Sequence, residues 1–122
     1  MAIKKTIQIG DKPVKLRASA SVVRLYRDIF GRDVILDMNE IKKKVQSGEE
    51  NDGTIFNVTE NLTYTLAKAA DPRGVPDDFY QWLDQFDPFA LYACCEEVMT
   101  FWQENEKTLS KPKKKAAQQP AK

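Results

Sequence analysis

The sequence predicts a mostly helical α+β fold. A β-hairpin over residues 3–17 packs on a bundle of about five helices spanning 19–105, and a basic tail follows. Three observations carry this. Period-two alternation flanks a Gly10-Asp11-Lys12-Pro13 turn signal near the N-terminus. Apolar residues then recur at i, i+3, i+4 and i+7 in successive segments, each bounded by capping residues. Beyond about Lys107 the hydrophobic period disappears. Residues 1–106 therefore read as one domain, and 107–122 as a disordered tail of Lys, Pro, Ala and Gln that cannot offset its ordering entropy.

In the hairpin, Thr6 and Gln8 frame Ile7 and Ile9, and Val14 and Leu16 resume the pattern, although Ile3, Ile7 and Ile9 do not alternate without a break. Two strands alone are marginal, so the hairpin has to pack on helices or accept a partner strand. Ser19 or Ser21 caps a first helix, in which Val22, Leu25, Tyr26, Ile29 and Phe30 form the core stripe and Gly31 the left-handed stop. Asp33 caps a second, with a seam of Val34, Met38, Ile41 and Val45 and with Lys42, Lys43 and Lys44 at the negative end of its dipole. Ser47 to Thr54 is a polar loop, expected to be the most mobile part of the domain. A third helix runs from about Ile55 to Ala70 and stops at Asp71-Pro72. Asp77 or Asp78 opens a short helix carrying Phe79, Trp82, Leu83 and Phe86. Asp87-Pro88 starts a last one, with Leu91, Cys95, Val98 and Trp102 aligned.

Composition excludes much chemistry. The chain has no histidine, which removes the usual general base and the commonest imidazole metal ligand. Its two cysteines, Cys94 and Cys95, are adjacent, a spacing that suits neither a disulfide nor a tetrahedral metal site; they read as small core or near-core residues. Five scattered glycines form no phosphate loop, and Glu49, Glu50 and Asp52 lack the calcium-loop pattern. Asp84 with Asp87, and Glu96 with Glu97, fall on exposed helix faces rather than across a pocket, so no catalytic residue, metal or cofactor is expected. No apolar run approaches the roughly 20 residues of a membrane span, and no apolar segment follows the N-terminal lysines as a secretion signal would require. The expected setting is cytosolic, where the sequons at Asn57 and Asn61 carry no chemistry.

What remains is binding. Eight of the twelve aromatic residues lie between Phe79 and Trp102, among acids. Residues 1–32 carry eight basic and two acidic groups, whereas 71–106 carry one basic and nine acidic. Complementary fields of this kind steer association with a charged partner or a second copy, although solvated faces without a partner would show the same pattern. Aromatics at helical spacing are usually core, yet so small a core can hardly bury all twelve, and exposed apolar patches mark protein contacts. Phe79, Trp82, Phe86, Tyr92 and Trp102 are therefore the candidate partner-binding residues, lining a groove or framing one. For self-association, the candidates are Lys4, Lys5, Lys12, Lys15 and Arg17 facing Asp78, Asp84, Glu96 and Glu97.

The order of blocks is itself recognisable. A short basic hairpin leads into VKLRASASVVRLYRDIFGRDVILDM, then ENLTYTLAKAADP, then VPDDFYQWLDQFDPFALYACCEEVMTFWQEN. Over about residues 7–105 this resembles the tail assembly chaperones of long-tailed phages and prophages of Gram-positive bacteria. The resemblance implies a small, helical, non-enzymatic protein that coats the tape measure protein, keeps it soluble and helps recruit tail tube subunits. It further implies action in the cytoplasm of the infected or lysogenic host, absence from the finished particle, and a longer frameshifted product that contacts the tube protein. Runs of lysine codons can be slippery, so Lys113-Lys114-Lys115 is a candidate site for that shift. Two other readings stay open: a generic interaction adaptor with a different client, and a nucleic-acid binder using Lys111, Lys113, Lys114, Lys115 and the hairpin lysines.

Overall fold

Residues 2–48 and 53–105 are described by the computed structural model, so the middle of the expected Ser47–Thr54 loop, residues 49–52, and all of the expected tail lie outside the described residues, while Ser47, Gly53 and Thr54 are helical. The chain opens with β1 (Ile3–Ile9) and β2 (Lys12–Ala18), paired antiparallel from Ile3 opposite Ala18 to Ile9 opposite Lys12. The turn is only Gly10-Asp11, shorter than the four-residue signal. Gly10 adopts φ 66°, as the glycine-first two-residue hairpin turn requires. Pro13 thus belongs to β2, opposite Gln8. A two-residue turn closes on a hydrogen-bonded pair, so the next pair out is a non-bonded one and proline's missing N–H removes no ladder bond.

This register also explains the uneven alternation. Opposed residues share a face, so Ile3, Lys5, Ile7 and Ile9 lie with Val14, Leu16 and Ala18, and Lys5 is the one interruption on β1. Ile7, Ile9, Leu16 and Ala18 are buried, while Lys4, Thr6, Gln8, Pro13 and Lys15 form the exposed outer face.

Three helices follow. α1 (Ala20–Phe30) begins at Ser19, whose hydroxyl bonds that of Ser21 at 2.9 Å rather than capping the helix, and ends at Gly31 with φ 66°. Val22 and Tyr26 are buried, but Ile29 lies at the exposed edge of the expected stripe. α2 (Val34–Ser47) is capped by the Asp33 carboxylate, which accepts the Ile35 and Leu36 N–H groups at 2.8 and 3.3 Å. Val34, Met38 and Ile41 form the seam, while Val45 at its end is exposed.

α3 (Gly53–Ala70) is the centre of the fold, with β2, α1 and α2 packed around it. Every residue from Leu62 to Ala67 is buried, so the helix has no solvent face there. It accommodates threonines because each hydroxyl donates back to the carbonyl four residues earlier: Thr59 to Ile55, Thr63 to Thr59, Thr65 to Asn61, all at 2.7–2.8 Å.

The Asp71 carboxylate then turns the chain by accepting the Gly74 N–H at 3.0 Å. The Lys68 ammonium donates to the carbonyls of Pro72 and Val75 and to Asp77, tying the connector to α3. α4 (Phe79–Leu83) is capped by Asp78. The last expected helix is two: α5 (Ala90–Ala93), with Phe89 rather than Asp87 at its N-cap, and helical residues 95–105, here α6. At Cys94 (φ −101°, ψ 8°) the N–H turns to the Tyr92 carbonyl, which interrupts the helical pattern. The interruption shifts the phase of the stripe. Cys94 and Phe101 join Leu91, Val98 and Trp102 in the core, while Cys95 is half-buried. The result is a small α+β fold, a two-stranded antiparallel hairpin with six helices among the described residues. No described helix is long and apolar enough to cross a membrane.

Candidate functional site

A train of rings joins α1, α3 and α4. Phe79 meets Phe30 and Tyr64 edge-on, at centroid separations of 5.1 and 5.2 Å. Tyr64 meets Trp82 at 5.4 Å, and Trp82 meets Phe86 at 4.9 Å. Edge-on rings at these distances add attraction beyond their buried area, and the Tyr64 hydroxyl completes the join by donating to the Pro76 carbonyl. Trp82 and Trp102 are only 2% and 5% exposed, so most of each ring is packed into the core. Phe79 and Phe86 are half-buried, and Tyr92 is exposed.

Two of these rings share a groove with two of the candidate hairpin cations. A groove of about 240 Å³ runs between β2 and the 71–86 stretch, lined by Lys12 and Lys15 on one side and by Trp82 and Phe86 on the other. Gly74 shapes its floor, since a Cβ there would collide with the Asp71 carboxylate.

The more exposed rings lie elsewhere. Tyr92 stacks on Phe56 at 4.3 Å with 34° between planes, and Phe89 stands 6.1 Å from Tyr92. Phe89 is 75% exposed and Tyr80 73%, more than any of the five candidate aromatics. Tyr80 and Leu36 were not singled out from sequence. A helical wheel would have found Tyr80, which sits off the 79, 82, 83, 86 stripe; Leu36 similarly falls off the 34, 38, 41 seam. Phe56 carries no such signal, because its contact to Tyr92 is tertiary.

Of the charged candidates, Lys5 and Glu97 meet within the chain, 3.6 Å apart and each more than 40% exposed. That part of the complementarity is satisfied internally, because Lys5 sits on the packed face of β1. Lys4, Lys12, Lys15 and Arg17 make no ion pair among the described residues, nor do Asp84 and Glu96. Lys4, Lys5, Lys15 and Arg17 border one shallow basin of about 600 Å³. Asp78 is occupied as the α4 cap.

The strongly perturbed groups are structural. Asp37 is buried, and burial alone would raise its carboxyl. The Arg32 guanidinium, bonded at 2.7 and 2.9 Å, and the Tyr26 hydroxyl outweigh that and hold it below the ordinary range. Tyr26 is pushed up by burial and by Asp37. Burial first, and then neighbouring Cys95, push the Cys94 thiol up to about 11, which disfavours a reactive thiolate. Among the described residues no three His, Cys, Asp or Glu side chains gather as metal ligands would. Among the described residues the surface offers exposed rings, a groove lined by both rings and lysines, and cations without ion-pair partners. Comparison with family models, curated proteins and solved structures found no match.

Proposed function

We propose that this protein is a tail assembly chaperone of a long-tailed phage or prophage, a non-enzymatic binder whose client is the tape measure protein. It coats that client in the host cytoplasm, helps recruit tail tube subunits, with or without a longer frameshifted product, self-associates along the client, and is left out of the finished particle. The observation that carries this reading is the pair of exposed rings Phe89 and Tyr92 in the acidic stretch, backed by the half-buried Phe56 of α3. A long helical client presents apolar stripes, and exposed rings on a rigid scaffold are a suitable counterpart. The hairpin-first block order over residues 7–105 supports the same reading.

The test is co-expression with the tape measure and tail tube proteins encoded beside this gene. The tape measure protein is expected to become soluble and to co-purify. If it stays insoluble and neither neighbour is retained, the reading fails and an adaptor with another client takes its place. The frameshift is tested in the gene, where a repeated heptamer is expected at the codons for Lys113 to Lys115.

One observation favours a second reading. Lys4, Lys15 and Arg17, which border one basin on the hairpin, lack ion-pair partners among the described residues, as a phosphate-binding face would. Steep salt dependence in binding to DNA or RNA, lost when these residues are neutralised, would favour it over the chaperone.

A further inference from the structure

Between α3 and α4 lies a cleft of about 570 Å³, lined among others by Glu60, Asn61, Phe79, Tyr80 and Leu83, with Arg32 at its rim. Its charges are not balanced. The Arg32 guanidinium is already held by both oxygens of Asp37, at 2.7 and 2.9 Å. The Asn61 amide is engaged with Tyr26. Glu60 is half-buried and has no hydrogen-bond or ion-pair partner among the described residues. Burial raises its carboxyl above the ordinary value, the mark of an anion desolvated without compensation. On the α4 side of the cleft the rings of Phe79 and Tyr80 touch, 5.5 Å apart and 57° from parallel, and Tyr80 is 73% exposed.

We propose that this cleft is a socket for one arginine side chain presented by a partner protein. Each part of an arginine has a counterpart here. The guanidinium meets the unpaired Glu60 carboxylate and lies over the Tyr80 ring, while the methylene stem covers Leu83 and Phe79. Arginine fits better than lysine, because its flat, weakly hydrated head can stack and donate two parallel bonds at once. Charge selects the occupant: among the described lining residues the one unpaired charge is an anion, so an acidic side chain is repelled and an apolar one leaves Glu60 desolvated. As the contact for the tape measure protein the socket rests on the chaperone reading; as an arginine site it does not.

The experiment is NMR on the full chain, following the Glu60 carboxyl carbon and the Tyr80 and Phe79 ring signals. The probe is N-acetyl-arginine amide, with N-acetyl-norleucine amide as the apolar control. In the free protein Glu60 is expected to titrate above ordinary glutamate. Saturating arginine amide is expected to lower that pKa and shift both rings, while norleucine amide does neither. Glu60→Gln should weaken the probe about tenfold, and Tyr80→Ala, which alters an exposed ring and leaves the core alone, about threefold. Absence of a saturable shift, or equal binding by Glu60→Gln, overturns the proposal. So does a Glu60 pKa already below the ordinary value without probe, which would mean that the chain's own lysines or a second copy fill the cleft. Co-purification separates the two readings. A tape measure protein retained equally by wild type and Glu60→Gln removes the socket as its contact. Arginine binding without tape measure capture leaves the socket and removes the chaperone reading.

Discussion

The Tyr26 hydroxyl donates a 2.8 Å hydrogen bond to the Asp37 carboxylate across the packed faces of α1 and α2. Arg32, from the turn between those helices, clasps the same carboxylate, so one buried acid fixes both helices and their connection. Tyr26→Phe removes one donor and leaves Arg32 in place. It should cost about 1–2 kcal/mol in urea denaturation, whereas Asp37→Ala, which leaves the buried Tyr26 hydroxyl unpaired and frees the exposed guanidinium to water, should cost about 2–3 kcal/mol.

The same carboxylate sets an acid limb. Its pKa is lower in the folded than in the unfolded chain, because Arg32 and Tyr26 outweigh burial. Its contribution is therefore complete above the unfolded value of about 4 and is lost as pH falls through the folded value. Denaturation midpoints measured from pH 6 to pH 2 should fall more steeply in wild type than in Asp37→Asn. Parallel curves would show that other acids govern the limb.

Lys68 is a clasp of a different kind, its ammonium shared by two carbonyls and Asp77. Lys68→Met keeps the stem and removes the donors, and should cost about 1.5–3 kcal/mol. Proteolysis would then be faster within residues 71–78 than elsewhere. Unchanged cleavage there would show that the Asp71 turn holds the connector unaided.

Trp82 and Phe89 should part company when each is replaced by alanine. Trp82→Ala opens the core between α3 and α4 and should cost about 3–5 kcal/mol. Phe89→Ala touches an exposed ring and should change stability by less than about 0.5 kcal/mol, yet reduce tape measure capture. If Phe89→Ala captures the client as well as wild type, the aromatic run is not the client surface.

The Lys5–Glu97 pair predicts little, and that is informative. Both side chains are more than 40% exposed, so a double-mutant cycle should give about 0.2–1 kcal/mol, falling in high salt. A larger coupling would mean that Lys5 anchors β1 on α6. Charge reversal at Lys15 and Arg17, by contrast, should weaken self-association in low salt while leaving the monomer folded.

Local chemistry was legible in the sequence where it acts over a few residues. Gly10 as a turn, Gly31 as a stop and Asp33 and Asp78 as caps need only their neighbours to declare themselves. The stripes of α1 and α2 could be read except at their ends, where Ile29 and Val45 slip to the surface because the packing partner has run out. Other features depend on distant contacts. Asp37 reads as an ordinary first-turn acid until Tyr26 and Arg32 close on it. α3 shows one apolar face in sequence, yet Thr63 and Thr65 are as buried as Leu62 because helices and hairpin surround it. The interruption at Cys94 has no Gly or Pro to announce it, and it exchanges the expected places of Cys94 and Cys95. Tyr92 was among the candidate rings, but its neighbour Phe56 lies on another helix, so the surface they form was not visible.

The enclosure of α3 also divides the molecule by tempo. Amides in residues 62–67 have no route to water short of global opening, so they should be the last to exchange with deuterium. Tyr80 and Phe89 ride instead on the short α4 and at the head of the one-turn α5, whose few backbone bonds open at far lower cost. These two exposed rings thus sit on the parts of the described chain that open most readily, while the centre stays closed.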